Sequence, residues 1–313
     1  MKVGISSCLL GNEVRYDGQH KLDRFLRDEL GMYVEWHPLC PEVECGLPIP
    51  RESMRLVGDD PENPKLLTVR TKRDITPQME KYTFARLEML EKENLRGFVF
   101  KSKSPTSGMR GVKIYTEQGL PSRSGSGIFA REFMKRFPNI PVEDEGRLHD
   151  AGIRENFIET LFVYDRWRTY VETDASPAGL ISFHTSHKYL LMAHAPAGLR
   201  EAGKIVAAAR KNNLAESLQS YESVLVRTMR LHATVKKNVN VLHHIMGYFK
   251  QQLSADEKQE LLDVIDRYAR SYVPLIVPVV LLNHYVRKYD EPYLKTQWYL
   301  HPHPDELKLR NHA

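Results

Sequence analysis

The hydrophobic pattern of this chain changes period once, near residue 146, and that change calls for two cores rather than one. Up to residue 145, strand-like and helix-like stretches alternate. Residues 2–7, 32–36, 95–101, 112–115 and 140–142 read as short strands, and 20–30, 76–94 and 127–137 carry helical spacing. Strands separated by helices predict a small Rossmann-like α/β domain over 1–145, a parallel sheet with helices on both faces. From 146 to 313 no strand pattern returns, and long helical stretches punctuated by Pro177, Pro196, Pro274, Pro278 and Pro292 predict an all-α domain. Ser254 and Glu257 stand at capping-box spacing, with Leu261, Leu262, Ile265 and Tyr268 at helical intervals behind them. A length of 313 residues accommodates two domains of ordinary size. Residues 58–65, rich in Pro, Asp and Asn, read as a surface loop.

Open parallel sheets bind ligands at the carboxyl ends of their strands, which makes three loops the candidate site. Cys8 follows the first strand, Cys40 and Glu42 follow the second, and Lys101-Ser102-Lys103-Ser104-Pro105-Thr106-Ser107-Gly108 follows the third. The chain's three cysteines, Cys8, Cys40 and Cys45, all lie in this half. An odd number makes a poor disulfide framework, but it suits either thiolate ligands or buried core thiols. Cys8 and Cys40 are too far apart for a zinc knuckle, and Cys40-x4-Cys45 lacks a second close pair. Iron–sulfur clusters accept such soft ligands as well.

Charge is spread unevenly. Of the whole chain, residues 184–250 hold 10 Lys and Arg, 3 acidic residues and 6 of the 13 histidines, a balance that fits a polyanionic partner or a solvated helical face. Arg227, Arg230, Lys236 and Lys237 are the candidate RNA contacts there, followed by His243, His244, Tyr248 and Phe249, where aromatic rings serve base stacking or helix packing. His184, His187 and His194 share one helix face, either toward RNA or partly buried. No apolar run approaches the roughly 20 residues of a membrane span. The opening MKVGISSCLLGN lacks the pattern of a secretory leader, so the expectation is a cytoplasmic protein with no membrane attachment.

Several motifs occur in a telling order: Ser6-Ser7-Cys8-Leu9-Leu10-Gly11, Val14-Arg15-Tyr16-Asp17-Gly18, Cys40-Pro41-Glu42-Val43 with Gly46-Leu47 and Pro50-Arg51, and Lys101-Ser102-Lys103-Ser104-Pro105. Together they resemble the TudS-type thiouracil desulfidases. The helical half, through His187-Lys188-Tyr189, Met246-Gly247-Tyr248-Phe249 and 272–289, resembles the YbgA-type domain. The combination resembles two-domain enzymes that remove sulfur from 4-thiouridine in transfer RNA. That resemblance implies a [4Fe-4S] cluster held by three cysteines, with Glu42 activating water or moving protons and Ser104 orienting water or substrate. Arg15, Tyr16 and Asp17, with Lys101 and Lys103, become candidates for gripping a phosphate or base, against the plainer readings of turn chemistry and solvated lysines.

The sequence departs from the family pattern at one position. Ser107 stands where the third cysteine is expected. Cys45 as replacement ligand, Ser107 as a weak ligand, and loss of the cluster are the three accounts. The implied partner is transfer RNA containing 4-thiouridine. The rivals are a cluster-less RNA-binding relative and a desulfidase of free thiouracil, and a small base has no use for an extended basic surface.

Overall fold

The computed structural model describes residues 1–60 and 62–312 and divides into two compact units, Met1–His149 and Asp150–Ala313. Pro61, within the 58–65 stretch, lies outside the described residues. The first unit is built on strand β1 (Lys2–Ser6), whose Val3 and Ile5 are fully buried. It pairs in parallel with β2 (Glu35–Leu39) on one side and β5 (Gly97–Phe100) on the other, and β8 (Val142–Asp144) completes the sheet in the order β2-β1-β5-β8. Pro38 is tolerated because β2 is an edge strand. Gly4 lies opposite Phe98, and a Cβ there would stand 2.2 Å from the ring, so only glycine lets Phe98 cross the strand. Phe98 stacks on Phe100 at 4.3 Å, and both rings meet Phe129 and Phe133 of helix α3 (Ile128–Arg136).

A second, mixed sheet was not expected. It runs β4-β3-β6-β7, from β3 (Met54–Val57), β4 (Lys65–Thr68), β6 (Val112–Tyr115) and β7 (Pro121–Gly125). The 112–115 strand therefore belongs here and not to the parallel sheet. Strands of four or five residues set among prolines and charges carry too few alternations to be read, and their pairing comes from contacts distant in sequence. Leu56, Leu66, Val112 and Ile114 close a core with Ile75 and with Met79 of helix α2 (Thr76–Leu90).

The helix expected over 20–30 is mostly absent. The Lys21 and Asp23 N–H groups donate to the Cys8 and Leu9 carbonyls, each at 2.9 Å, so this segment ties back to the first loop instead of winding. Only a wide turn at Phe25–Glu29 and a tight one at Leu30–Met32 follow. The tight turn takes up Met32, which moves β2 three residues later than the 32–36 reading.

The second unit is helical, from α4 (Ala151–Thr173) through α5 (Pro177–His194), α6 (Pro196–Ala208), α7 (Leu214–Met229), α8 (Val235–Met246), α9 (Ala255–Ala269) and α10 (Ile276–Lys288) to the short α11 (Pro292–Lys295). Pro177, Pro196 and Pro292 open their helices, where the missing N–H costs nothing. Ser254 and Glu257 form the capping box that opens α9. Among the described residues no helix is long and apolar enough to cross a membrane. The core includes a buried charge network. Glu159 of α4 accepts from Arg310 at 2.6 Å and faces His194 at 3.1 Å, and His194 also meets the Leu231 carbonyl at 2.6 Å.

Burial alone would push the Glu159 carboxyl up, but the Arg310 guanidinium and the His194 ring outweigh it and hold the group well below the usual range. The stabilisation is thus complete above the unfolded carboxyl value, about 4.3, and is lost as pH falls below it. Urea unfolding followed by α-helix signal should show stability falling steeply from pH 5 to pH 3. In Glu159→Gln that slope should flatten, and at pH 7 the variant should lose about 3 kcal/mol, because the buried Arg310 loses its closest carboxylate and keeps only the more distant Glu155 at 3.6 Å.

Candidate active site

The strand order places the ends of β2, β1 and β5 side by side, and each end carries chemistry. After β1 the chain makes one tight turn over Ser7–Leu10, closed by Gly11 at φ +96°, which sets Cys8 into the sheet edge at 8% exposure. After β2, Cys40 precedes Pro41, the first residue of α1 (Pro41–Glu44). Its N–H donates to the Glu44 carboxylate at 2.8 Å, and the Tyr82 hydroxyl donates to the same group at 2.7 Å. After β5, residues 101–108 fold back with Lys103 in the left-handed region at φ +59°. That strained conformation turns a cationic residue toward the rim of the site.

These loops enclose a cavity of about 430 Å³. Cys8, Cys40, Glu42, Ser104 and Ser107 line it, as do Arg15, Tyr16, Lys101 and Lys103. Two candidates lie elsewhere. Asp17 does not line the cavity and instead pairs with Arg15 at 3.3 Å. Cys45 packs against the core of the mixed sheet, and its thiol donates to the Glu42 carbonyl at 3.2 Å. Cys45 thus reads as an ordinary small core residue, which removes the ground for making it the replacement ligand.

Sequence reasoning missed the residues that hold Glu42. Arg51 Nε donates to Glu42 Oε2 at 3.0 Å, and Arg51 Nη2 contacts the same oxygen and donates to the Val14 carbonyl at 3.0 Å. The Arg51 backbone N–H donates to the Tyr16 carbonyl at 2.8 Å, so one residue ties the 14–16 loop to the carboxylate. Glu42 Oε1 accepts from Thr106 Oγ1 at 2.9 Å. The Pro50-Arg51 pair in the sequence was the available signal, but nothing local says that its guanidinium reaches Glu42. Lys101 pairs with Glu145, whose carboxylate also accepts the Ser102 N–H at 2.6 Å.

Burial pushes the Cys8 thiol up to about 11, with Lys101 partly opposing it, and burial also raises Cys40. Among the described residues no three His, Cys, Asp or Glu side chains group as a metal would require. The thiols of Cys8 and Cys40 and the Ser107 hydroxyl share the cavity with the Glu42 carboxylate and further hydroxyls, Ser104 among them.

In the helical unit the expected basic face shrinks. His187, at 1% exposure, stacks on Phe183 at 4.0 Å, and its Nε2 accepts from Arg166 at 3.1 Å. His194 is fully buried, so neither ring faces RNA. Burial and the neighbouring Arg166 hold His187 well below its ordinary pKa. Lys237 is spent on the carbonyls of His194 and His232, at 2.6 and 2.9 Å, and Phe249 is core. Arg227 is exposed and pairs with Glu201 at 2.6 Å, while Arg230, Lys236, His243, His244 and Tyr248 remain on the surface.

Comparison with known proteins divides the chain in the same sense. Residues 3–145 match the family described as 2-thiouracil desulfurase, and residues 188–304 match a family described as a protein of unknown function, DUF1722. The Escherichia coli (strain K12) "Uncharacterized protein YbgA" is 30% identical over 133 residues, 42% of this chain and 79% of its own length. A solved structure, the [4Fe-4S]-dependent thiouracil desulfidase TudS, is 30% identical, with 48% of this chain and 93% of that chain covered and a TM-score of 0.39.

The Glu42–Arg51 pair is 15% and 4% exposed, so removing one partner strands a largely buried charge. Arg51→Ala should lower stability by about 3 kcal/mol in urea unfolding. Arg51→Lys, which keeps the charge but not the fork, should lose less. A loss under about 0.5 kcal/mol in Arg51→Ala would mean that water screens the pair.

Proposed function

The chain belongs to the family of the Escherichia coli protein YbgA, and we propose that it is a thiouracil desulfidase whose substrate is 4-thiouridine in transfer RNA and whose [4Fe-4S] cluster rests on Cys8, Cys40 and Ser107. The observation that carries this reading is one cavity lined by two thiols, a third donor at Ser107, a carboxylate at Glu42 and a hydroxyl at Ser104. The donor set fits a cluster held by three protein atoms, two soft and one hard. It also leaves one metal position without a protein ligand.

When bound, such a cluster supplies a thiophilic Lewis acid toward the thiocarbonyl sulfur. The chain's own residues do the rest. Arg51 and Thr106 fix both oxygens of Glu42, so the carboxylate is presented in one orientation as a proton acceptor. Lys103 and Arg15 put positive charge at the cavity wall, where it suits a nucleotide phosphate, and the exposed Tyr16 ring offers a face for a base. A macromolecular RNA is favoured over a free base by the second unit, whose Arg227, Arg230 and Lys236 stay exposed. Cytoplasmic residence accords with that substrate.

The test is anaerobic cluster reconstitution followed by measurement of 4-thiouridine in transfer RNA and of free 4-thiouracil. Loss of 4-thiouridine faster than loss of the free base is expected, and the reverse order would make the free base the substrate. Position 107 gives a readout independent of turnover. Ser107→Cys should raise the iron bound per chain and lengthen cluster lifetime in air, because a thiolate binds cluster iron better than a hydroxyl. Cys45→Ala should leave iron content unchanged. Iron lost in Cys45→Ala, with Ser107→Cys silent, would restore Cys45 as the ligand.

A further inference from the structure

The buried Thr106 hydroxyl connects the Ser104 hydroxyl to Glu42, and hydrogen-bond counting fixes the direction of both. Thr106 Oγ1 donates to Glu42 Oε1 at 2.9 Å and lies 3.0 Å from Ser104 Oγ. A hydroxyl carries one proton, and a carboxylate only accepts, so Thr106 has no proton left for its second neighbour. Ser104 Oγ–H must therefore donate to Thr106. Ser104 Oγ in turn accepts the Ser107 N–H at 3.1 Å, which holds its oxygen in place, and the longer Thr106 N–H contact at 3.3 Å is the one that opens when Ser104 takes a proton from water. Arg51 occupies the other Glu42 oxygen, and Thr106 is 1% exposed, so the chain Ser104 to Thr106 to Glu42 is shielded from bulk water along its middle. All three residues line the cavity.

We propose that Thr106 is a relay and positioning residue, through which a proton lost by attacking water at Ser104 reaches Glu42; this rests on the desulfidase reading of the site. Water oxygen adds to the thiocarbonyl carbon, a C–O bond forms, and the C=S π pair moves onto sulfur. One water O–H bond breaks, its proton passing to Ser104 Oγ while Ser104 gives its own to Thr106 and Thr106 gives its own to Glu42. Both hydroxyls end unchanged, and Glu42 is the acid. The proton then returns along the same chain to sulfur. The C–S bond breaks with its electron pair on departing hydrosulfide, and the proton left on the carbon-bound oxygen goes to solvent as the carbonyl forms. Because the carboxylate acts through the two hydroxyls, it need not touch the substrate itself.

The test compares the reconstituted wild type with Thr106→Val, Thr106→Ser and Ser104→Ala, using 4-thiouridine-containing transfer RNA and measuring iron content, kcat, KM and the rate in H2O/D2O mixtures. Thr106→Val keeps the shape and removes the relay. It should lower kcat by about 100-fold with KM within about twofold and iron unchanged. Thr106→Ser keeps the hydroxyl and should recover most of that loss. The wild-type rate should bow downward with deuterium fraction, as expected when several protons move together, and Thr106→Val should give a straight line. Should Thr106→Val fold poorly, Ser104→Ala removes the outer end of the same chain and should give the same straight line. Thr106→Val with near-wild-type kcat and an unchanged bow would show that the proton bypasses Thr106. Equal damage in Thr106→Val and Thr106→Ser would reduce the residue to packing. A wild type that releases no sulfide would overturn the desulfidase reading itself, and the relay with it.

Discussion

Everything proposed for the site depends on β1 lying between β2 and β5 in parallel. Parallel pairing points all three strands the same way, so their exits fall on one edge and three loops distant in sequence share a cavity. That pairing depends on a small steric condition. Phe98 of β5 can lie across β1 only because position 4 has no side chain, and the same ring joins Phe100, Phe129 and Phe133 in the aromatic core beneath the sheet. Packing at the sheet centre thereby fixes the spacing of Cys8, Cys40 and the 101–108 loop at its rim.

Inside the cavity the polar groups are organised by paired burial. Arg51 and Thr106 leave Glu42 with a partner on each oxygen, and the same arginine holds the 14–16 loop through Val14 and Tyr16. A largely buried carboxylate is tolerable only with such partners, and their geometry then dictates how it faces its surroundings. The thiols experience the opposite influence. Burial disfavours their charged form, so Cys8 and Cys40 hold their protons in the absence of a cation, and a soft metal would displace them. Glu159 in the helical unit follows the same logic, with Arg310 compensating a fully buried charge.

Much of this was legible from residue order. The strands at 2–7 and 95–101 carry short apolar stretches at residues 3–5 and 97–100 that mark burial on both sides, and the cysteine and serine loops fell just after them. The Ser254–Glu257 box and the prolines that open α5 and α6 announced their helices because each signal is local. The mixed sheet was invisible for the opposite reason, since β3, β4 and β7 have short patterns and find partners far along the chain. The 20–30 segment has helical spacing, but its Lys21 and Asp23 amides are claimed by the Cys8 turn. The same limit applied to the site. Glu42 and Ser104 could be named from motifs, whereas Arg51 and Thr106 matter through contacts 9 and 64 residues away in sequence. In the helical half, charge composition overstated the basic surface, because it cannot tell an exposed lysine from Lys237, which is bound to two carbonyls.

The central claim is that the cavity is a desulfidase site in which Glu42 handles protons and Cys8, Cys40 and Ser107 hold the cluster. One paired measurement tests it most directly: sulfide released per chain, and iron bound per chain, in wild type and Glu42→Gln reconstituted side by side without oxygen. The amide keeps the shape of the side chain but cannot take up a proton. The account predicts that Glu42→Gln binds as much iron as the wild type and releases essentially no sulfide from 4-thiouridine. Undiminished sulfide release by Glu42→Gln, or iron lost together with activity, would contradict it.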